Sequence, residues 1–439
     1  MKKLLLLLAL VPFSGLNAQS WISQATGFTA ASRGLDQIVA LDANTVWAKA
    51  YDGSGAGAEV QEFTLTTNGG TTWTPGVINV GDPALGINNI CPINSTTAWV
   101  SAVNPTDGSG SVVFKTSNGG ATWDQQNPSA FTSSGSFVNF VHFFDANNGF
   151  AMGDPVGAPL EFEIWTTADG GDSWTQVPGA NIPNPVNSTE YGLNGGNVVV
   201  GNTAWLVTNK GRILKSVDMG LTWTVSQAPL TDFGGAAQSG RLAFSDANNG
   251  CLLKTAGTTY TFYTTSNGGA TWSTGSTFTG SHRLLSYIPG TTVIVGTSQA
   301  APVGSSYSLN NGLAWTPIEA DMQRGVSSFV NGSTGWCAGF SSDATTDGIF
   351  KFDGTLANPT FEADAAIEVY PNPANNFVTI SSQLDSYDLS VTDLTGKTVL
   401  QQSLSGIENS VDVSSLSSGV YLFNINSDNK KETIKVIKN

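Results

Sequence analysis

The chain has 439 residues, with 33 Asp and Glu against 18 Lys and Arg. That net charge of −15 excludes nucleic acid and anionic membrane surfaces as expected main partners. Charged residues are only 12%, while Gly reaches 50 and Trp 12, a composition of short strands joined by tight turns. Cys91, Cys251 and Cys337 are too few and too scattered for a disulfide framework, and with only His142 and His282 beside them buried structural thiols are expected rather than a metal site.

The N-terminus, "MKKLLLLLALVPFSGLNAQS", places Lys2 and Lys3 before an apolar run and ends in the small residue Ala18. This predicts a secretory signal peptide over residues 1–18, too short to cross a bilayer. No other apolar run has the length of a membrane span, and no long stretch shows helical periodicity.

An eight-residue turn then recurs: "TTNGGTTW", "TSNGGATW", "TADGGDSW", "SVDMGLTW", "TSNGGATW" and "SLNNGLAW", ending at Trp73, Trp123, Trp174, Trp223, Trp272 and Trp315. Steps of that size mark radially repeated blades. Each copy has Ser or Thr first, Asp or Asn third, Gly fifth and Trp eighth. The Asx side chain is expected to accept turn N–H groups, the Gly to take positive φ, and the Trp to pack between sheets. The pattern resembles the Asp-box, or BNR repeat, of sialidase-like and photosystem-assembly-factor-like propellers. That resemblance implies a structural turn remote from any active site.

Between these turns runs a second signal, a hairpin seen seven times from "ALDANTVWAKA" to "FVNGSTGWCAG". Seven hairpins meet six boxes, and the seventh unit, "GIFKFDGT", lacks a box Trp. Trp21 stands in phase at the other end of the chain, so the N-terminal strand is expected to complete the last blade and remove two open edges. Trp47, Trp99, Trp205 and Trp336 fall on second strands, and Trp165 alone lies off both patterns. The expected fold is all-β: a seven-bladed β-propeller over residues 19–360, a linker at 361–366 and a small Ig-like β-sandwich at 367–439.

The last segment reads as alternating strands, including "YPNPANN" at Tyr370–Asn376, "DLTGKTV" at Asp393–Val399, "SGVYLFNI" at Ser418–Ile425 and a terminal "IKVIKN". It resembles the type A C-terminal sorting domain of the Bacteroidetes type IX secretion system. The resemblance implies passage through the periplasm and outer membrane, binding to the secretion machinery, removal of residues 367–439, and a mature protein at the cell surface or in the medium.

Ligands of propellers use the face opposite the box turns. Three of the five arginines, Arg241, Arg283 and Arg324, precede the inner strands of blades five, six and seven. Arg33 holds a related place in blade one, and Lys210 with Arg212 extends the arc into blade four. Asp52, Glu59, Glu62, Asp107, Asp154, Glu161 and Glu163 lie on long loops of blades one to three, which makes the expected face bipolar. Arginine forks suit carboxylate or sulfate, hence an anionic glycan or acidic peptide; pairing of each arginine with a nearby carboxylate is the competing expectation. In sialidase-like enzymes an arginine trio, a Tyr–Glu pair and an acid act together, which points to Glu190, Tyr191 and Asp154 here. The Arg-Ile-Pro signature of those enzymes is missing, and a two-propeller xyloglucanase arrangement does not fit.

The expected function is a non-catalytic recognition module, most simply a monomer, with a glycan-cleaving hydrolase as the alternative. No cofactor is expected; "DATTDG" and "NPTDGSGS" have loop compositions compatible with Ca²⁺ but lack a calcium-loop register.

Overall fold

The computed structural model describes residues 19–57, 59–126, 130–343, 345–356, 367–382, 386–406, 408–427 and 431–439. The predicted signal peptide and linker lie outside them. The chain forms two compact units, Met1–Ala357 and Asn358–Asn439. Among the described residues there is no helix long and apolar enough to cross a membrane.

The first unit is a seven-bladed propeller. Its inner strands are Arg33–Ala40, Gly86–Pro92, Val138–Phe143, Val198–Val200, Ser239–Phe244, Leu284–Tyr287 and Ser327–Asn331; each leads four antiparallel strands, and blades one and seven are joined into one eight-stranded sheet where Arg33 and Gly34 pair with Ser341 and Phe340. In six blades the four strands follow in chain order, whereas the seventh takes its outer strand from the N-terminus. Ser20–Ala25 pairs antiparallel with Thr346–Asp353, with Trp21 opposite Phe352. Trp21 is 8% exposed, meets Phe352 edge-on at 5.3 Å and donates its Nε1–H to Ser305 of blade six at 2.8 Å.

All six box turns share one hydrogen-bond pattern. The first-position hydroxyl accepts the fifth-position N–H at 2.8–3.0 Å, and the third-position Oδ1 accepts the seventh-position N–H at 2.9–3.0 Å. The same hydroxyl donates to that Oδ1, as Thr66 does to Asn68 at 2.9 Å. The fifth position has a second reason to be Gly: at Gly120 a Cβ would stand 2.1 Å from the Phe63 ring. The fourth position is left-handed as well, and in two turns it is filled by Met219 at φ 62 and Asn311 at φ 57.

The fourth-position N–H also donates to a carbonyl of the same blade's first hairpin, from Gly69 to Asn44 through Asn311 to Thr292, at 2.7–3.3 Å. The two repeated signals are therefore one docked unit. The box tryptophans pack on phenylalanines: Trp123 on Phe63 and Trp223 on Phe150 reach back to the preceding blade, whereas Trp174 on Phe143 and Trp272 on Phe244 pack on the inner strand of their own blade. Trp73 continues the series across the closure, donating to Gln24 at 3.0 Å.

Second-strand tryptophans reach forward instead. Trp47, Trp99 and Trp205 donate to carbonyls of Asn94, Gly170 and Gly268 in the next blade. Opposite Trp99, Trp205 and Trp336 on the third strand stand Lys115, Lys215 and Lys351. Each ammonium lies 5.2–5.4 Å from the ring centroid and donates to a carbonyl of the next blade: Gly170, Ala247 and Gly69. A cation over an indole face adds attraction to that bond.

The second unit is a β-sandwich. A three-stranded sheet of Glu368–Tyr370, Phe377–Ser381 and Glu408–Asp412 faces a four-stranded sheet of Thr398–Ser405, Ser386–Asp393, Gly419–Asn426 and Lys431–Lys438. Val378, Ile380, Leu389, Val391, Phe423 and Ile425 form the buried layer between them.

Replacing Trp21 with Ala is expected to lower propeller stability by about 3–5 kcal/mol, the range for deleting a buried Trp. Thr116→Val, which orphans the Gly120 N–H, is expected to cost about 1–3 kcal/mol. Urea unfolding followed by Trp fluorescence reads both.

Candidate functional site

On the face opposite the box turns, two cavities of about 420 and 600 Å³ share Asn194, Gly195, Asn197, Arg241, Leu284 and Val326 as walls. They form one central space, reached by residues of all seven blades. Its rim is tied by side-chain amides. Gln37 exchanges bonds of 2.9 and 2.8 Å with the Ile90 backbone, and Asn89 does the same with Val141 at 2.8 and 3.0 Å. Asn194 donates to Asn88 at 3.0 Å, linking blade four to blade two. These bonds satisfy polar groups that the narrowing of seven sheets toward an axis would otherwise leave wanting.

Arg241 projects into this space from the inner strand of blade five. Its side chain is open to channel water yet walled by protein, and the lost hydration lowers its pKa. No hydrogen bond, ion pair or ring contact holds its guanidinium among the described residues. The cavity's other charges are Asp36 and Lys49, joined at 2.7 Å. Arg241 is thus the uncompensated charge of the space.

The remaining candidate residues lie outside this space, and most of them have partners of their own. Arg324 is 3% exposed, ion-paired to Glu319 at 2.5 Å and stacked on Phe350 at 3.8 Å. Arg283 lies over Tyr260 at 4.0 Å and donates to the Ala301 carbonyl at 3.3 Å. Arg33 meets Glu62 at 2.8 and 3.3 Å, and that contact raises its pKa. Of the trio, Arg241 alone lines the central cavity.

Arg212 and Glu190 form a buried ion pair at 2.7 Å. Glu190 also accepts from Val186 N–H at 2.7 Å and Thr208 Oγ1 at 2.8 Å, while Arg212 donates to Asn184 O at 3.0 Å. The pair fixes the loop leading into blade four. Tyr191 beside it is 45% exposed, and only its backbone is bonded, to Asn209. Lys210 lines a separate cleft of about 450 Å³.

Asp154 sits on a bulged strand of blade three and accepts the Gly192 N–H at 2.9 Å. Burial pushes its carboxyl up to about 6, against the lowering effect of bonds from Gly192 and Asn139. It lines, with Asp107, a cleft of about 690 Å³ between the loops of blades two and three. Trp165, the indole outside both sequence patterns, donates to the buried Glu163 at 3.2 Å, which Ser136 also bonds at 2.6 Å. His282 bonds Ser306 and Val303 within blade six at 2.9 and 3.2 Å. The three cysteines are free and buried; burial pushes Cys91 and Cys251 up to about 12. Among the described residues no three His, Cys, Asp or Glu side chains group to hold a metal. The oxygens of "DATTDG" and "NPTDGSGS" serve their own turns: Asp343 accepts Thr345 N–H and Asn104 accepts Thr106 N–H, at 2.8 and 2.9 Å.

Missed from the sequence were the Lys–Trp pairs, although Lys115 and Lys215 stand directly before their boxes, as Lys351 does before the degenerate seventh.

Arg212→Gln is expected to cost about 3–5 kcal/mol, because it leaves Glu190 buried and unpaired. Arg241→Gln is expected to leave stability within about 0.5 kcal/mol of the unaltered protein. Thermal unfolding of the two variants separates a structural from an available arginine. For Asp154, a folded pKa above the unfolded value means the native state takes up the proton first. Stability from this group rises as pH falls from about 7 to 4, and Asp154→Asn removes that gain, on the order of 1–3 kcal/mol. Urea midpoints measured across that pH range check it.

No curated protein matches the chain. Among solved structures it is similar to YCF48 bound to D1 peptide, at 14% identity over 79% of this chain and 99% of that one, with a TM-score of 0.49. It is also similar to YCF48 from Cyanidioschyzon merolae, at 16% identity over 76% and 99%, TM-score 0.49. A third is the NanB sialidase from Streptococcus pneumoniae, at 12% identity over 79% and 71%, TM-score 0.40. Residues 368–439 match the family described as "Secretion system C-terminal sorting domain". The chain is thus a β-propeller carrying a type IX sorting domain, a protein exported to the cell surface or beyond.

Proposed function

We propose that the propeller is a non-catalytic recognition module whose central cavity binds the anionic group of an extracellular ligand, with Arg241 as anchor. The observation that carries this reading is an arginine left unpaired inside a polar cavity while the other four arginines have partners. A guanidinium fork in a partly desolvated space favours a carboxylate or sulfate over water. Gln299 also lines the space, while Asn88 and Asn197 are bonded within its walls and Ser286 bonds Ser327 at 2.7 Å, so the guanidinium sits in polar but fixed surroundings. A glycosidase needs two carboxylates roughly 5–10 Å apart. The central walls supply Asp36, already held by Lys49, so the geometry supports binding better than hydrolysis.

The sorting domain is read as the part that engages the secretion machinery and is then removed, leaving the propeller as the working unit. Deleting residues 367–439 is expected to retain the propeller in the periplasm, as immunoblots of cell fractions would reveal.

Titration calorimetry with galacturonate and N-acetylneuraminate tests the channel. Binding is expected to weaken about 10–100-fold in Arg241→Gln, the loss of a charge-assisted pair. Equal affinity in that variant would end the reading. Turnover of a chromogenic uronide or sialoside by the unaltered protein would replace it with the hydrolase.

A further inference from the structure

The propeller has five arginines and six lysines, Lys49, Lys115, Lys210, Lys215, Lys254 and Lys351. Nine of these cations are held by a carboxylate or a carbonyl: Lys49 by Asp36, Lys254 by Pro229 at 3.2 Å, and the rest as described above. The side chains without such a partner among the described residues are Arg241 and Lys210. Both lie on the face opposite the box turns, and one loop, Ala228–Gly240, separates them. Phe233, Gly234, Ser239 and Gly240 of this loop wall the Arg241 cavity, while Ala228–Thr231 and Gln238 wall the cleft that Lys210 shares with Lys254.

That cleft is built for an anion. Lys210 and Lys254 are both half-buried, and no carboxylate lines the cleft with them. The nearest acid on the loop, Asp232, turns its Oδ1 to the Gly234 N–H at 2.8 Å. Gln238 spends its Oε1 on the Thr231 N–H at 3.2 Å, which leaves its NH₂ as a donor. The floor is fixed, because Gln227 donates to the carbonyls of Lys210, Gly211 and Leu230 at 3.2, 2.9 and 3.0 Å. Two ammonium-bearing side chains lining one cleft without a carboxylate favour an anion there.

We propose that Lys210 and Lys254 form a second anion subsite, so that the ligand is an acidic polysaccharide lying across the Ala228–Gly240 loop with one anionic group on Arg241 and another on the lysine pair. The inference rests on the channel reading and names its ligand class. A repeating acidic saccharide brings both requirements at once, regularly spaced charges for two cationic sites and hydroxyl groups for the Gln238 amide between them. In a protein of net charge −15, confining the free cations to one arc also gives a polyanion a single productive landing place.

The test compares the intact protein with Lys210→Gln/Lys254→Gln and Arg241→Gln, using oligogalacturonate, dextran sulfate, galacturonate monomer and poly-glutamate in calorimetry at several salt concentrations. The double lysine variant is expected to lose about tenfold in affinity for a polysaccharide probe and roughly two from its salt slope, one per cation removed, with monomer binding unchanged. Unaltered polysaccharide affinity in the double variant overturns the second subsite and leaves the channel reading standing. Loss in the lysine variant with none in Arg241→Gln supports the cleft and removes the channel anchor instead. Preference for poly-glutamate over both polysaccharides, or binding of neither polysaccharide, overturns the assignment of ligand class.

Discussion

A ring of twisted sheets keeps its shape only if its first and last blades are joined, and here that condition is met by a strand from the far end of the chain. Ser20–Ala25 supplies the backbone partners that blade seven lacks, and Trp21 fills the place of the missing box indole. The closure is reinforced twice: Gln24 accepts from Trp73 of blade one, and Lys351 bonds the Gly69 carbonyl at 2.9 Å. A cavity with walls from seven blades keeps its shape only while the first and last are joined.

Within that ring, polar chemistry is divided by position. On one end, the Ser/Thr–Asx turns consume their own hydroxyls and carboxylates, so acids such as Asp169, whose carboxyl is held down at about 2 by Ser173 and Thr167, are structural. On the other end the loops differ from blade to blade. Arg33, Arg212 and Arg324 there are neutralised locally by Glu62, Glu190 and Glu319, and each such pair fixes a loop. Against that background of satisfied groups, an available guanidinium and ammonium stand out as functional surface.

How much of this was legible in the sequence depended on whether a property is local. The box turn was readable because its bonds run between residues two to four apart, and the blade number followed from Trp21 standing in phase. Its fourth position was not legible as left-handed, since Met219 and Asn311 take that backbone without being Gly. The sandwich was readable from strand alternation. The site was not readable to the same degree. Arg241 and Arg324 occupy matching places before their inner strands, but Glu319 reaches Arg324 and nothing comparable reaches Arg241. Which arginine is free is decided by a loop that spacing does not describe. The Lys–Trp pairs escaped notice for a similar reason, because the indole and the ammonium meet across strands 16, 10 and 15 residues apart in register.

The clasp between the two ends of the propeller also imposes an order of events. Gln19 bonds the Thr355 carbonyl across 336 positions, so the first strand can find its mate only after the last blade has formed. Contacts so distant along the chain make assembly slow, and six blades must stack while their first and last edges stay exposed. Until then the outermost strand of the seventh blade stays unpaired, which makes ring completion a record that all seven blades are in place.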